Sequence, residues 1–131
     1  MNIYLDIDGV LLSRGWKPAP YVAEFLRAAT ERHDCYWLTT HCTDGNAQQT
    51  IEYLSKILSS DTLKYCNKIK PTTWSFQKTN AIDFSSPFLW FDDAPMDYEK
   101  EILAQNGLSD SLVLVNLQDN PNHLKDLVKL L

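Results

Sequence analysis

The sequence has no Cys-x-x-Cys pair, no apolar run long enough to span a bilayer, no surplus of basic residues and no internal repeat. Cys35, Cys42 and Cys66 are odd in number and widely spaced, which argues against a disulfide framework and a structural zinc site and suits a reducing compartment. A spanning helix needs roughly 18 consecutive apolar residues, and none occurs. Met1 leads almost directly into a run holding Asp6 and Asp8, which leaves no room for a secretory leader. The expectation is a cytoplasmic protein with no membrane partner. Lys and Arg number 12 against 17 acidic residues, a formal net charge of -5. A surface built mainly to grip phosphodiester backbones is therefore disfavoured, and nucleic acid would have to be met by a local basic patch.

What is present has the composition of a folded protein. Of 131 residues, 44% are hydrophobic and 22% charged, enough for one core and too few for two, so residues 1–131 read as a single domain. Asn2-Ile3-Tyr4-Leu5 is short, β-prone and nearly all apolar, the pattern of a buried parallel strand, and it stops at Asp6-Ile7-Asp8-Gly9. Tyr21, Val22, Phe25, Leu26 and Ala29 recur at helical spacing after Pro18 and Pro20, which predicts a helix over residues 20–32. Cys35-Tyr36-Trp37-Leu38 reads as a second strand ending at Thr39-Thr40-His41, and Asp44-Gly45 as the signal for a helix over residues 46–59.

Further on, Leu63 to Cys66 is the expected third strand, Pro71 to Trp74 a loop, and Lys78 to Ile82 a short helix. Phe88-Leu89-Trp90-Phe91 forms the next strand and halts at Asp92-Asp93. Met96 to Gln105 reads as a helix closed by Asn106-Gly107, Leu112 to Val115 as the fifth strand, and residues 122–131 as a last amphipathic helix. Strands alternating with helices, the strands being wholly apolar, predict a three-layer α/β/α domain around a five-stranded parallel sheet.

Ligands in such sheets bind beyond the carboxyl ends of the strands, where Asp6, Asp8, Thr39, Thr40, Asp92 and Asp93 all fall. Gly9 lets the backbone leave strand geometry, so that Asp6 and Asp8 can both face one crevice. Together with Asp92 and Asp93 they make a dense acidic cluster that calls for a cation, and all-oxygen ligands favour Mg²⁺. Phosphoryl transfer makes use of such a set. A carboxylate serves as nucleophile, Thr39 offers a hydroxyl, and Lys78 brings a positive charge to the phosphate oxygens.

The order Asp-x-Asp-Gly-Val, strand-Thr-Thr, Lys, strand-Asp-Asp resembles the haloacid dehalogenase (HAD) superfamily of phosphatases, with all four motifs falling within residues 3 to 93. The resemblance implies a Rossmann-like core in which Asp6 is the nucleophile that forms an aspartyl-phosphate and Asp8 the general acid and base. It implies Thr39, with Thr40 as a lesser candidate, and Lys78 as phosphate binders, and a magnesium ion held by Asp93, Asp92, Asp6 and the Asp8 backbone carbonyl. The segments where that family inserts cap domains read as ordinary helices and loops, so a capless core is expected. An open crevice favours a phosphorylated macromolecule as substrate; a lid supplied by a partner subunit would return a metabolite to favour. The oligomeric state is left open.

Each motif has a plainer reading when taken alone. Asp-x-Asp-Gly occurs in turns and in calcium loops, although Leu11 and Leu12 stand where further calcium ligands would be needed. Thr39-Thr40 can cap a helix, Lys70 and Lys68 compete with Lys78, and Asp92-Asp93 can be a solvated turn. His41 and Cys42 follow the threonine motif, where they could touch substrate, but read more simply as loop; Trp37 and Trp90 read as packing, and Trp16 and Trp74 as the better candidates for a recognition surface. A response-regulator receiver has its paired acids first and its acceptor aspartate later, the reverse of the order here. The alternative to an enzyme is a non-catalytic phosphate-binding or partner-binding domain of the same fold.

Overall fold

In the computed structural model, which describes residues 1–131, the chain runs β1 (Asn2–Leu5), β2 (Leu12–Ser13), β3 (Lys17–Pro18), α1 (Val22–Arg32), β4 (Asp34–Trp37), α2 (Gln48–Ser55), α3 (Ser60–Cys66), β5 (Phe88–Asp92), α4 (Asp97–Gln105), β6 (Leu112–Leu114) and α5 (His123–Leu127). Short 3-10 turns occupy Lys78–Ala81, Ser109–Ser111 and Val128–Leu130. The main sheet has four strands, all parallel, in the order β4-β1-β5-β6. β2 and β3 pair antiparallel in a small separate hairpin. No helix is long and apolar enough to cross a membrane.

Strand side chains alternate between faces, and both faces are apolar because both are covered. Ile3, Leu5, Cys35, Trp37 and Phe91 point into the larger core, where Phe25 and Leu26 of α1, Cys66 of α3 and Leu124 of α5 meet them. Tyr4, Phe88 and Trp90 point the other way, onto Leu103 of α4 and Ile82. Phe25 meets Phe91 edge to face at 5.2 Å between ring centroids, an aromatic contact worth about 1 kcal/mol beyond its buried area.

The sheet has one strand fewer than the sequence predicts. The segment from Leu63 to Cys66 belongs to a helix, α3, because the Ser59 side chain accepts from the Thr62 backbone N–H and caps it, and Asp61 lies in its first turn. Thr62 and Cys66, one helical turn apart, are buried as α3 packs on α1. The chain then returns to the sheet edge at a single bridge between Tyr36 and Lys70. Lys70 N–H donates to Cys35 O at 2.9 Å and Trp37 N–H to Lys70 O at 2.8 Å, but Pro71 follows and has no N–H with which to continue the ladder. Elsewhere the expected elements form with ends shifted by a few residues, and the last helix closes as a 3-10 turn.

Candidate active site

Strand order reverses at β1, whose neighbours β4 and β5 come later in the chain, and the polar residues collect beyond its carboxyl end. Asp6 N–H donates to Phe91 O at 3.1 Å, so Asp6 and Asp92 leave adjacent strands side by side. Leu38 N–H donates to Leu5 O at 2.8 Å, which brings Thr39 along the other flank of β1.

The centre of the site is a buried ion cluster. Lys78 Nζ lies 3.2 Å from Asp6 Oδ2 and 2.7 Å from Asp92 Oδ2. The other oxygen of each acid is also used: Asp6 Oδ1 accepts from Ile7 N–H at 2.8 Å, and Asp92 Oδ1 from Ala94 N–H at 2.9 Å. Asp93 completes the group, and Asp6, Asp92 and Asp93 each place a carboxylate oxygen within 4.8 Å of the others. Gly9, at φ 80, packs against the Asp93 side chain so tightly that a methyl group there would overlap it.

Three carboxylates face one ammonium here, which leaves negative charge uncompensated. Burial, and next the charge of Asp92, push the Asp6 carboxyl from 3.8 up to about 6, with Lys78 opposing. Burial and Asp92 likewise raise Asp93. For Lys78 burial pulls the other way, but Asp6 and Asp92 outweigh it and its pKa rises. The donor set is hard oxygen with excess negative charge, and Asp93 has an oxygen beside Asp6 while Asp92 is engaged by Lys78 and Ala94. These residues fit a hard divalent cation.

Asp8 stands apart from that cluster. Its carboxylate, 52% exposed, turns toward α2, where the Tyr53 hydroxyl donates to Oδ1 at 3.0 Å and His41 Nε2 lies 2.8 Å from Oδ2. The rings of His41 and Tyr53 stack at 4.3 Å and hold each other in place. Burial, reinforced by the hydrogen bond and charge of Asp8 and opposed by a hydrogen bond with the Trp16 side chain, pushes the Tyr53 hydroxyl up to about 12, so it stays a donor.

The remaining sequence candidates divide. Thr39 is fully buried at the end of β4 and its Oγ1 accepts from His41 N–H at 3.3 Å. Thr40 is exposed in the following turn and joins no part of the cluster. Lys70 pairs instead with Asp34 at 3.6 Å, at the first residue of β4, the end of the strand away from the site. Cys42 is buried, with its thiol directed at the carbonyls of Asn46 and Thr72. Trp37 and Trp90 are core, Trp74 donates its indole N–H to Cys42 O, and Trp16 alone is exposed.

Two contributors escape sequence reading. Tyr53 reads as an apolar helix position, and only its hydroxyl hints at a polar target. Glu99 reads as a solvated helix acid, yet it is buried and accepts from Thr79 N–H at 3.1 Å, which pins the 3-10 turn that carries Lys78. A cavity of about 970 Å³ opens beside Asp8, Gly9 and Asp93, walled by the β2–β3 hairpin and by residues following β6. Comparison of the chain with protein-family models, curated proteins and solved structures returns no match.

Proposed function

We propose that the chain is a magnesium-dependent phosphomonoester hydrolase of the HAD type, working through an aspartyl-phosphate. The observation that carries this reading is the separation of two carboxylates into two environments: Asp6 buried against Lys78, and Asp8 half-exposed between His41 and Tyr53. A nucleophile and a proton carrier need such a division of surroundings.

In this mechanism Asp6 Oδ attacks phosphorus and the bond to the ester oxygen breaks. Asp8 gives its proton to the departing alcohol, then takes one from a water that attacks the phosphoryl group, releasing phosphate and restoring Asp6. The Thr39 hydroxyl and the Lys78 ammonium hold phosphate oxygens. Asp6, Asp93 and the Asp8 carbonyl, supported by Asp92, would hold Mg²⁺, which neutralises charge on the acids and the phosphoryl group. The four-stranded sheet, with its lone bridge at Lys70 where a fifth strand would lie, is then a reduced three-layer HAD core without a cap.

The test is hydrolysis of a generic aryl phosphate by the purified chain. Turnover should require Mg²⁺, stop on chelation and vanish in Asp6→Asn. Turnover that survives both treatments would sink the mechanism, and phosphate binding without turnover would assign the non-catalytic alternative.

A further inference from the structure

We propose that the cavity beside Asp8 is a leaving-group subsite, resting on the phosphatase reading above, that selects phosphomonoesters carrying a flat aromatic ring, with Trp16 as the stacking platform. Trp37 and Trp90 are core and Trp74 is half-buried with its indole bonded to Cys42 O, whereas Trp16 is 66% exposed and lines this cavity. Its indole edge reaches the Tyr53 hydroxyl, but the ring face is left in water, a large apolar surface with nothing packed on it.

The backbone presents that face deliberately. Gly15 at φ 78 and Trp16 at φ 55 make the bend between Ser13 and Lys17, which pair across the hairpin. The left-handed region is uncommon for a bulky side chain and is retained where the surroundings hold it. Here the hairpin is anchored by Leu12, fully buried in the larger core, and by Ala19 N–H donating to Leu11 O at 2.9 Å. Both ends of the hairpin are thereby tied to the body of the domain, and the bend carries Trp16 at the cavity rim.

The rest of the cavity selects the occupant. At about 970 Å³ it exceeds what a phosphoryl group fills and has room for a leaving group that carries one or two rings. Leu114, 50% exposed, adds a second apolar surface, and Gln118 an amide for a ring substituent. Arg14 is the only basic residue in the lining, against Asp8 and Asp93, so a long polyanionic strand is disfavoured and a single ring-bearing monoester is favoured.

The experiment compares ligands that differ by a ring. Calorimetric titration of the Asp6→Asn chain with Mg²⁺ uses uridine 5′-monophosphate against ribose 5-phosphate, and phosphotyrosine against phosphoserine as blocked amino acids. Should that variant unfold, the wild-type chain in EDTA replaces it. The ring-bearing member of at least one pair should bind roughly five- to tenfold tighter, and the pair that responds identifies the kind of ring. Trp16→Leu should bring the ratio to about one, while Trp16→Phe, which keeps a ring, should retain most of it. Equal affinities within both pairs, or a preference untouched by Trp16→Leu, overturn the proposal. Because turnover plays no part in this readout, failure of the phosphatase reading and failure of the subsite give different results.

Discussion

Gly9 and Asp93 meet so closely that no side chain fits between them, and Gly9 holds a backbone angle of φ 80. Gly9→Ala therefore strains the backbone, by about 1 to 2 kcal/mol, and displaces the carboxylate assigned to the cation. The expected outcome is a lower melting temperature and a weaker rise of that temperature with added Mg²⁺. Thermal unfolding across a Mg²⁺ series reads both effects; an unchanged Mg²⁺ dependence would remove Asp93 from the metal site.

The acidic cluster also sets a pH dependence. With the Asp6 carboxyl raised from 3.8 to about 6, the folded metal-free chain keeps a proton between those values that the unfolded chain has released. The stability linked to that proton is complete below pH of about 4 and lost as pH rises through about 6. Asp93, also raised, acts in the same direction, and Lys78 stays charged throughout the window. In EDTA the melting temperature should fall from pH 4 to 6.5 relative to Asp6→Asn, and excess Mg²⁺ should flatten the difference. A rise instead of a fall would mean that Asp6 is already ionised and well compensated.

Lys78 and Lys70 offer a sharp contrast. Removing Lys78 leaves Asp6 and Asp92 buried without their counter-charge, and the loss from Lys78→Ala should be about 3 to 5 kcal/mol in metal-free protein. Lys70 and Asp34 are both more than half exposed, so Lys70→Ala should change stability by less than about 1 kcal/mol. Chemical denaturation of the two variants side by side gives the comparison, and similar losses would contradict the assignment of the buried pair.

Tyr53→Phe deletes the hydrogen bond to Asp8, together with the contact to the Trp16 indole, and leaves the ring stack with His41. With Asp8 less firmly aimed, kcat for alkyl phosphates should drop severalfold, about 1 kcal/mol after allowance for solvent screening, with KM little changed. Aryl phosphates, whose leaving groups need less help from a proton, should be affected less. Equal losses for both classes would take Tyr53 out of the proton-transfer step.

Much of this arrangement is legible in the sequence because each polar motif directly follows an apolar strand. β1, β4 and β5 announce themselves, and once the sheet is parallel Asp6, Asp92 and Asp93 come together while Thr39 follows the neighbouring strand β4. What is not legible depends on contacts remote in sequence. The segment from Leu63 to Cys66 is too short for periodicity to separate strand from helix, and the Ser59 cap and the surface of α1 decide it. The partners of Asp8 lie 33 and 45 residues away, and Glu99 acquires its role only by facing Thr79.

The central place of β1 also bears on how the molecule acquires its shape. Residues 2–5 are made early, yet they have no neighbour until residues 34–37 exist and are flanked on both sides only once residues 88–92 have followed. During synthesis the strand leading to Asp6 must wait through most of the chain, and assembly is governed by closure of long loops rather than by local turns. The strand order thus leaves the apolar segment before Asp6 without either sheet neighbour for the first 33 residues of synthesis, and with only one until β5 has been made.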